Sequence, residues 1–109
     1  MAYDEQLAGR IRGALRGRDD VTERKMFGGI AFMVGGNMAV GVIRDDLMVR
    51  VGSDAHDEAL AQPHVRVMDF GHRPMKGMVY VAPEGVASDQ ELERWVGAGA
   101  DMAASLPPK

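Results

Sequence analysis

Apolar and polar residues change period several times along the chain. In "YDEQLAGRIRGALRG", Leu7, Ile11, Ala14 and Leu15 recur at helical spacing. Asp4 and Glu5 suit the first turn of that helix, and Gly17 suits its stop. The period then shortens to two. In "GIAFMV", Ile30, Phe32 and Val34 alternate with Ala31 and Met33, which predicts a strand. "GGN" supplies a hairpin turn, "MAVGVI" a second strand, "RDD" another turn and "LMVRV" a third strand. Ser53 is placed to cap a short helix over "DAHDEALAQ", which ends before Pro63. "VRVMDF" and "MVYV" are further strands on either side of the loop "GHRPMKG". The capping box "SDQE" opens a last helix with Leu92, Trp95, Val96, Met102 and Ala103 on one side. The predicted order is α-β-β-β-α-β-β-α, an α+β two-layer sandwich, expected to form one domain over residues 1–109.

The same alternation assigns faces. If Ile30, Phe32, Val34, Val40, Val42, Leu47, Val49 and Val51 point to the helices, the opposite face holds Ala31, Met33, Ala39, Gly41, Ile43, Met48 and Arg50. A solvated sheet face normally alternates with polar residues. This one is small, apolar and rich in methionine. Ala31, Met33, Ala39, Met48 and Arg50 are therefore candidates for self-association as a homodimer, with cover by a loop or terminal segment as the plainer explanation.

Composition narrows the function. The chain has nine methionines and no cysteine, which excludes a disulfide scaffold, a thiolate nucleophile and a Cys-ligated zinc. Its formal charge of −3 argues against direct DNA binding, because phosphate contacts need a basic surface. No apolar run approaches the roughly 20 residues that span a bilayer. The N-terminus has no apolar leader region, so a cytoplasmic protein without membrane contact is expected.

Two Gly-Gly pairs and a preceding lysine in "KMFGGIAFMVGG" raise the possibility of a phosphate loop. Such a loop lies between a strand and a helix. Here the glycines flank a strand that leads into another strand, so Gly35 and Gly36 read as turn residues. Gly28 and Gly29 read as a bulge or a close backbone crossing. His56, His64 and His72 lack the spacing of a zinc site. Asp69 with Arg73 or Lys76 reads first as an ion pair closing a loop, and second as a base beside an anion-binding group. No catalytic constellation, metal or cofactor is expected.

Several segments carry a resemblance. "RKMFGGIAFMVGGNMAVGV", "DDLMVRVG", "ALAQPHVRVMDF", "RPMKGMVYV" and "WVGAGADMAASLPPK" resemble the N-terminal domain of the TfoX/Sxy family of competence regulators, in particular its short stand-alone bacterial members. The similarity spans nearly the whole chain, and "MFGG" and "RPMKG" are its specific parts. Gly71 and His72 depart from the family's usual pattern of a small residue and glycine before "RPM". The resemblance implies an antiparallel sheet with helices packed on one face. It also implies a role in regulation, in the long members of DNA-uptake genes and through other transcription factors. The long members carry a second, C-terminal domain, which this chain is expected to lack.

Two function classes follow. The first is a non-enzymatic regulatory module that binds a protein partner, with a transcription regulator as the partner class that the resemblance implies. The second is a small ligand- or anion-binding domain, or an enzyme of unspecified reaction, built on "KMFGG" and "GHRPMKG". Its candidate residues are Lys25, Phe27, Gly28, Gly29, Asp69, Arg73 and Lys76. Glycine permits close backbone approach, and Arg73 offers a planar donor fork. If the two segments meet, they form a positive patch on an acidic protein.

Overall fold

The computed structural model describes residues 3–26, 28–70 and 73–107, and the side chains of these except at 69, 70 and 73–75. Helix α1, Glu5–Ala14, is followed by strands β1 (Val21–Met26), β2 (Gly29–Val34), β3 (Asn37–Ile43) and β4 (Asp46–Arg50). A short helix α2, His56–Leu60, leads to β5 (Val65–Phe70) and β6 (Arg73–Val81). A 3₁₀ turn at Pro83–Val86 and helix α3, Asp89–Ser105, follow. The six strands form one sheet in the order β1-β2-β3-β4-β6-β5, with every neighbouring pair antiparallel. The α+β class is as expected, with one strand more than the alternation predicted.

That extra strand has a physical reason for being hidden. β1 reads "VTERKM" and its four central residues are all exposed. It is an edge strand paired only to β2, so neither face supplies an apolar rhythm. Its charges also guard the open edge against pairing with another chain. The β2–β3 connection is the expected hairpin: Val34 pairs with Asn37, and Gly35 and Gly36 take φ of 60° and 85°. Positive φ at both central residues is what a tight two-residue turn with the correct twist requires.

The helix ends follow side-chain chemistry. The Asp4 carboxylate accepts from the N–H groups of Gln6 and Leu7, and the Ser88 hydroxyl accepts from that of Glu91. Ser53 does not cap α2. That helix starts at His56 behind Ala55, and Ser53 contributes only its backbone carbonyl, which accepts from the His56 N–H at 3.5 Å. The helices seal one face of the sheet. Leu7, Ile11, Leu92, Trp95, Val96 and Ala103 join Ile30, Phe32, Val34, Val40, Val42, Leu47 and Val49 in one buried cluster. Each fully buried large side chain there contributes about 1.5–3 kcal/mol. α3 lies close because Gly99 has no side chain: a Cβ at that position would sit 2.5 Å from the Ala39 carbonyl oxygen.

Ala39 corrects the face assignment. Phe32 pairs with Val40, but Met33 pairs with Met38, so Ala39 is the extra residue of a β-bulge. It belongs to the helix-side cluster and not to the opposite face. A bulge shifts the alternation by one residue, which strict period-two counting cannot register.

Candidate functional site

The helix-free face is built row by row. Strand register places Arg24, Ala31, Gly41, Met48, Tyr80 and Arg66 side by side across all six strands. The middle of this row is closed by methionine. A Cβ on Gly41 would lie 2.7 Å from the Met48 methyl, 3.2 Å from that of Met38 and 2.8 Å from the Ile30 carbonyl oxygen. The bare glycine therefore makes the hollow that these thioether side chains fill. Met48, Met68 and Met78 form a second buried cluster, with Met38, Ile43 and Tyr80 packed partly exposed around it.

Cations frame the cluster. Arg66 grips Asp46 with both amino groups, at 2.8 and 3.5 Å, and its guanidinium lies 5.1 Å from the Tyr80 ring centre. Arg50 is half-buried. Its Nε donates to the Met38 carbonyl at 2.6 Å, and it makes no ion pair among the described residues. Arg24 is exposed and makes none either. Of the five residues put forward for self-association, Ala31, Ala39 and Met48 are fully buried within the single chain, while Met33 and Arg50 are half-buried. The apolar surface left for a partner is Met26, Met33, Met38, Ile43 and Tyr80, all half-buried.

The described parts of the two glycine-bearing segments lie apart. "KMFGG" is the β1–β2 turn, where Met26 pairs with Gly29 and Gly28 takes φ of 77°. Gly29 is a close backbone crossing, since a Cβ there would collide with the Val42 carbonyl. Lys25 shares a row with Ile30, Val42, Leu47 and Val81. Four strand spacings, about 19 Å, separate Lys25 from Val81, and Lys76 lies further off toward the opposite end of β6. A single patch combining Lys25 with Lys76 is thus ruled out by register. Phe27 lies outside the described residues, as does His72. For Asp69 and Arg73 only the backbone is described, next to one another in the β5–β6 hairpin, with Asp69 opposite Pro74 and Phe70 opposite Arg73.

The glycine of "MKG" has a defined task. Gly77 takes φ of 93° within β6. Its carbonyl accepts from both Val51 and Gly52, at 2.8 and 3.1 Å, and its N–H donates to His56 Nδ1 at 2.9 Å. In this bond the buried His56 ring nitrogen Nδ1 is the acceptor. His56 is therefore a structural acceptor joining α2 to β6. His64, with φ of 66°, lends its backbone carbonyl to the Ala82 N–H. Among the described residues no group of three His, Cys, Asp or Glu could hold a metal.

Beside Gly77 opens a cleft of about 290 Å³, lined by Arg50, Gly52, Ser53, Asp54, Lys76, Gly77, Met102 and Leu106. Sequence reasoning found Lys76 and Gly77 from their motif. It missed Gly52 and Met102, which only the docking of α3 brings together. A larger cleft of about 400 Å³ lies between α1 and α3, but its cation, Arg10, is already held by the Val86 carbonyl at 2.8 Å and Asp89 at 3.2 Å.

Among the described residues no helix is long and apolar enough to cross a membrane. A family model for the TfoX N-terminal domain matches residues 13–103. No curated protein and no solved structure matches the chain.

Proposed function

The chain belongs to the TfoX N-terminal domain family, and we propose that it works as a non-enzymatic interaction module of the competence-regulator kind, whose helix-free sheet face receives an acidic protein partner. The observation that carries this reading is the separation of charge between the two faces. The free face bears Arg24, Arg50 and Arg66 around methionines, and its one described acid, Asp46, is taken by Arg66. The helix layer is acidic on balance. α2, the 3₁₀ turn and α3 carry Asp57, Glu58, Glu84, Asp89, Glu91, Glu93 and Asp101 against Arg94, while α1 adds Glu5, Arg10 and Arg12.

Methionine suits such a surface, because its flexible thioether adapts to a partner's shape. Cations around an apolar patch steer and select acidic partners. A transcription regulator is the partner class favoured by family membership, and a second copy, which could offer its acidic helix layer, is the competing occupant. The test is a Met33→Glu, Arg24→Glu double variant, compared with the wild type by sedimentation and by binding to captured partners. Loss of a hetero-partner with unchanged sedimentation supports the proposal. A wild-type dimer that the variant converts to monomer replaces the hetero-partner by self-association. Submicromolar, salt-sensitive binding of duplex DNA by the wild type would overturn both.

A further inference from the structure

We propose that the cleft between the β4–α2 junction, β6 and the end of α3 binds a small carboxylate carried on a short aliphatic chain. Two cations point the chemistry. Arg50 is oriented by its Nε bond to the Met38 carbonyl, and its two terminal amino groups make no hydrogen bond or ion pair among the described residues. Lys76 lines the same cleft, is exposed and likewise has no partner among them. A guanidinium held by one edge still presents a planar donor fork to a carboxylate.

The rest of the cleft fits that ligand. Its floor is backbone, because Gly77 crosses close to Gly52: a Cβ on Gly77 would lie 3.2 Å from the Gly52 carbonyl carbon and 3.3 Å from the Ser53 nitrogen. The Met102 methyl lies against Gly52, and together with Leu106 it makes an apolar wall for an alkyl chain. Ser53 adds a hydroxyl, and Asp54 is the one acid in the lining. In the other clefts formed by described residues the cations are already engaged. Arg10 is bonded to Val86 and Asp89, and Arg94 is paired with Glu91 at 2.9 Å and stacked 4.9 Å from the Trp95 ring centre. The Arg50 cleft keeps two cations with donors to spare against a single carboxylate. It adjoins the partner surface at Arg50, whereas Lys76, Asp54 and Met102 belong to the cleft alone, so the variants that test it leave Arg24, Met33 and Arg66 untouched.

The test is a titration of the ¹⁵N-labelled full chain with sodium butyrate at constant ionic strength, read at the amide signals of Gly52, Ser53 and Gly77. Saturable shifts at these three are expected, and butyramide, which has the same shape without the charge, should give none. Lys76→Met should weaken binding by about threefold to tenfold, as loss of one charge–charge contact implies. Asp54→Asn should strengthen it by a similar factor, a gain that a merely structural residue would not produce. Equal shifts with butyramide, or affinity unchanged in both variants while they stay folded, would overturn the proposal. Tighter binding of inorganic phosphate than of butyrate at the same amides would overturn the assignment to a carboxylate.

Discussion

Leu47 and Met48 are consecutive residues of β4, both completely buried, on opposite faces of one sheet. Leu47 is enclosed by the helix layer, in a cluster of branched side chains and Trp95. Met48 is enclosed by other methionines and by the hollow over Gly41. The same burial is thus reached in two ways. One face is sealed by regular elements packed on the sheet. The other is sealed by methionine side chains, which are flexible and adapt their shape.

The largest expected effect is on the helix side. Leu47→Ala leaves a cavity between sheet and helices that cannot collapse, and should cost about 3–5 kcal/mol in urea unfolding. Met48→Ala sharpens the comparison: neighbouring thioethers can fold into the gap, so the cost should be nearer 2 kcal/mol. Equal losses at the two positions would break the distinction between the faces.

Much of the fold was readable from the chain, and the exceptions share a cause. The Ser88 cap, the Gly35–Gly36 hairpin and the buried side of α3 follow from short-range chemistry. β1 escaped because an edge strand with two wet faces has no rhythm, and Ala39 escaped because a bulge breaks the rhythm it sits in. Ser53 looked like a cap because its side chain is of the right type, yet the chain first has to form the Val51 and Gly52 bonds to Gly77 before α2 begins. Of the candidate site, "MKG" was legible as a motif, whereas the acceptor for its glycine, His56, lies 21 residues away and carried no local signal. Lys25 and Lys76 looked alike in sequence, each a cation shortly before a glycine. Only strand order separates them.

Smaller effects probe the free face. Met33→Glu with Arg24→Glu should change stability by less than about 1 kcal/mol, because both residues keep contact with water. A larger loss would mean that this face is packed like the other. The smallest effect belongs to the helix side's exposed rim. Arg12 holds Glu23 through hydrogen bonds of 2.7 and 2.9 Å. That bond lowers the Glu23 pKa, against the opposing pull of partial burial. A depressed carboxylate stabilises the fold above its ordinary value of 4.5, and the contribution fades as pH falls through the lower folded value. Glu23→Gln should therefore cost a few tenths of a kcal/mol at neutral pH, and the gap to the wild type should close in acid.

The most direct measurement compares what three proteins capture from native lysate, quantified by mass spectrometry and repeated with the purified partner. These are the wild type, the Met33→Glu, Arg24→Glu variant and Lys76→Met. An acidic protein held by the wild type and by Lys76→Met, and lost by the face variant while that variant remains folded, is the predicted result. The same protein retained equally by the folded face variant would contradict the assignment of the helix-free face as the partner surface.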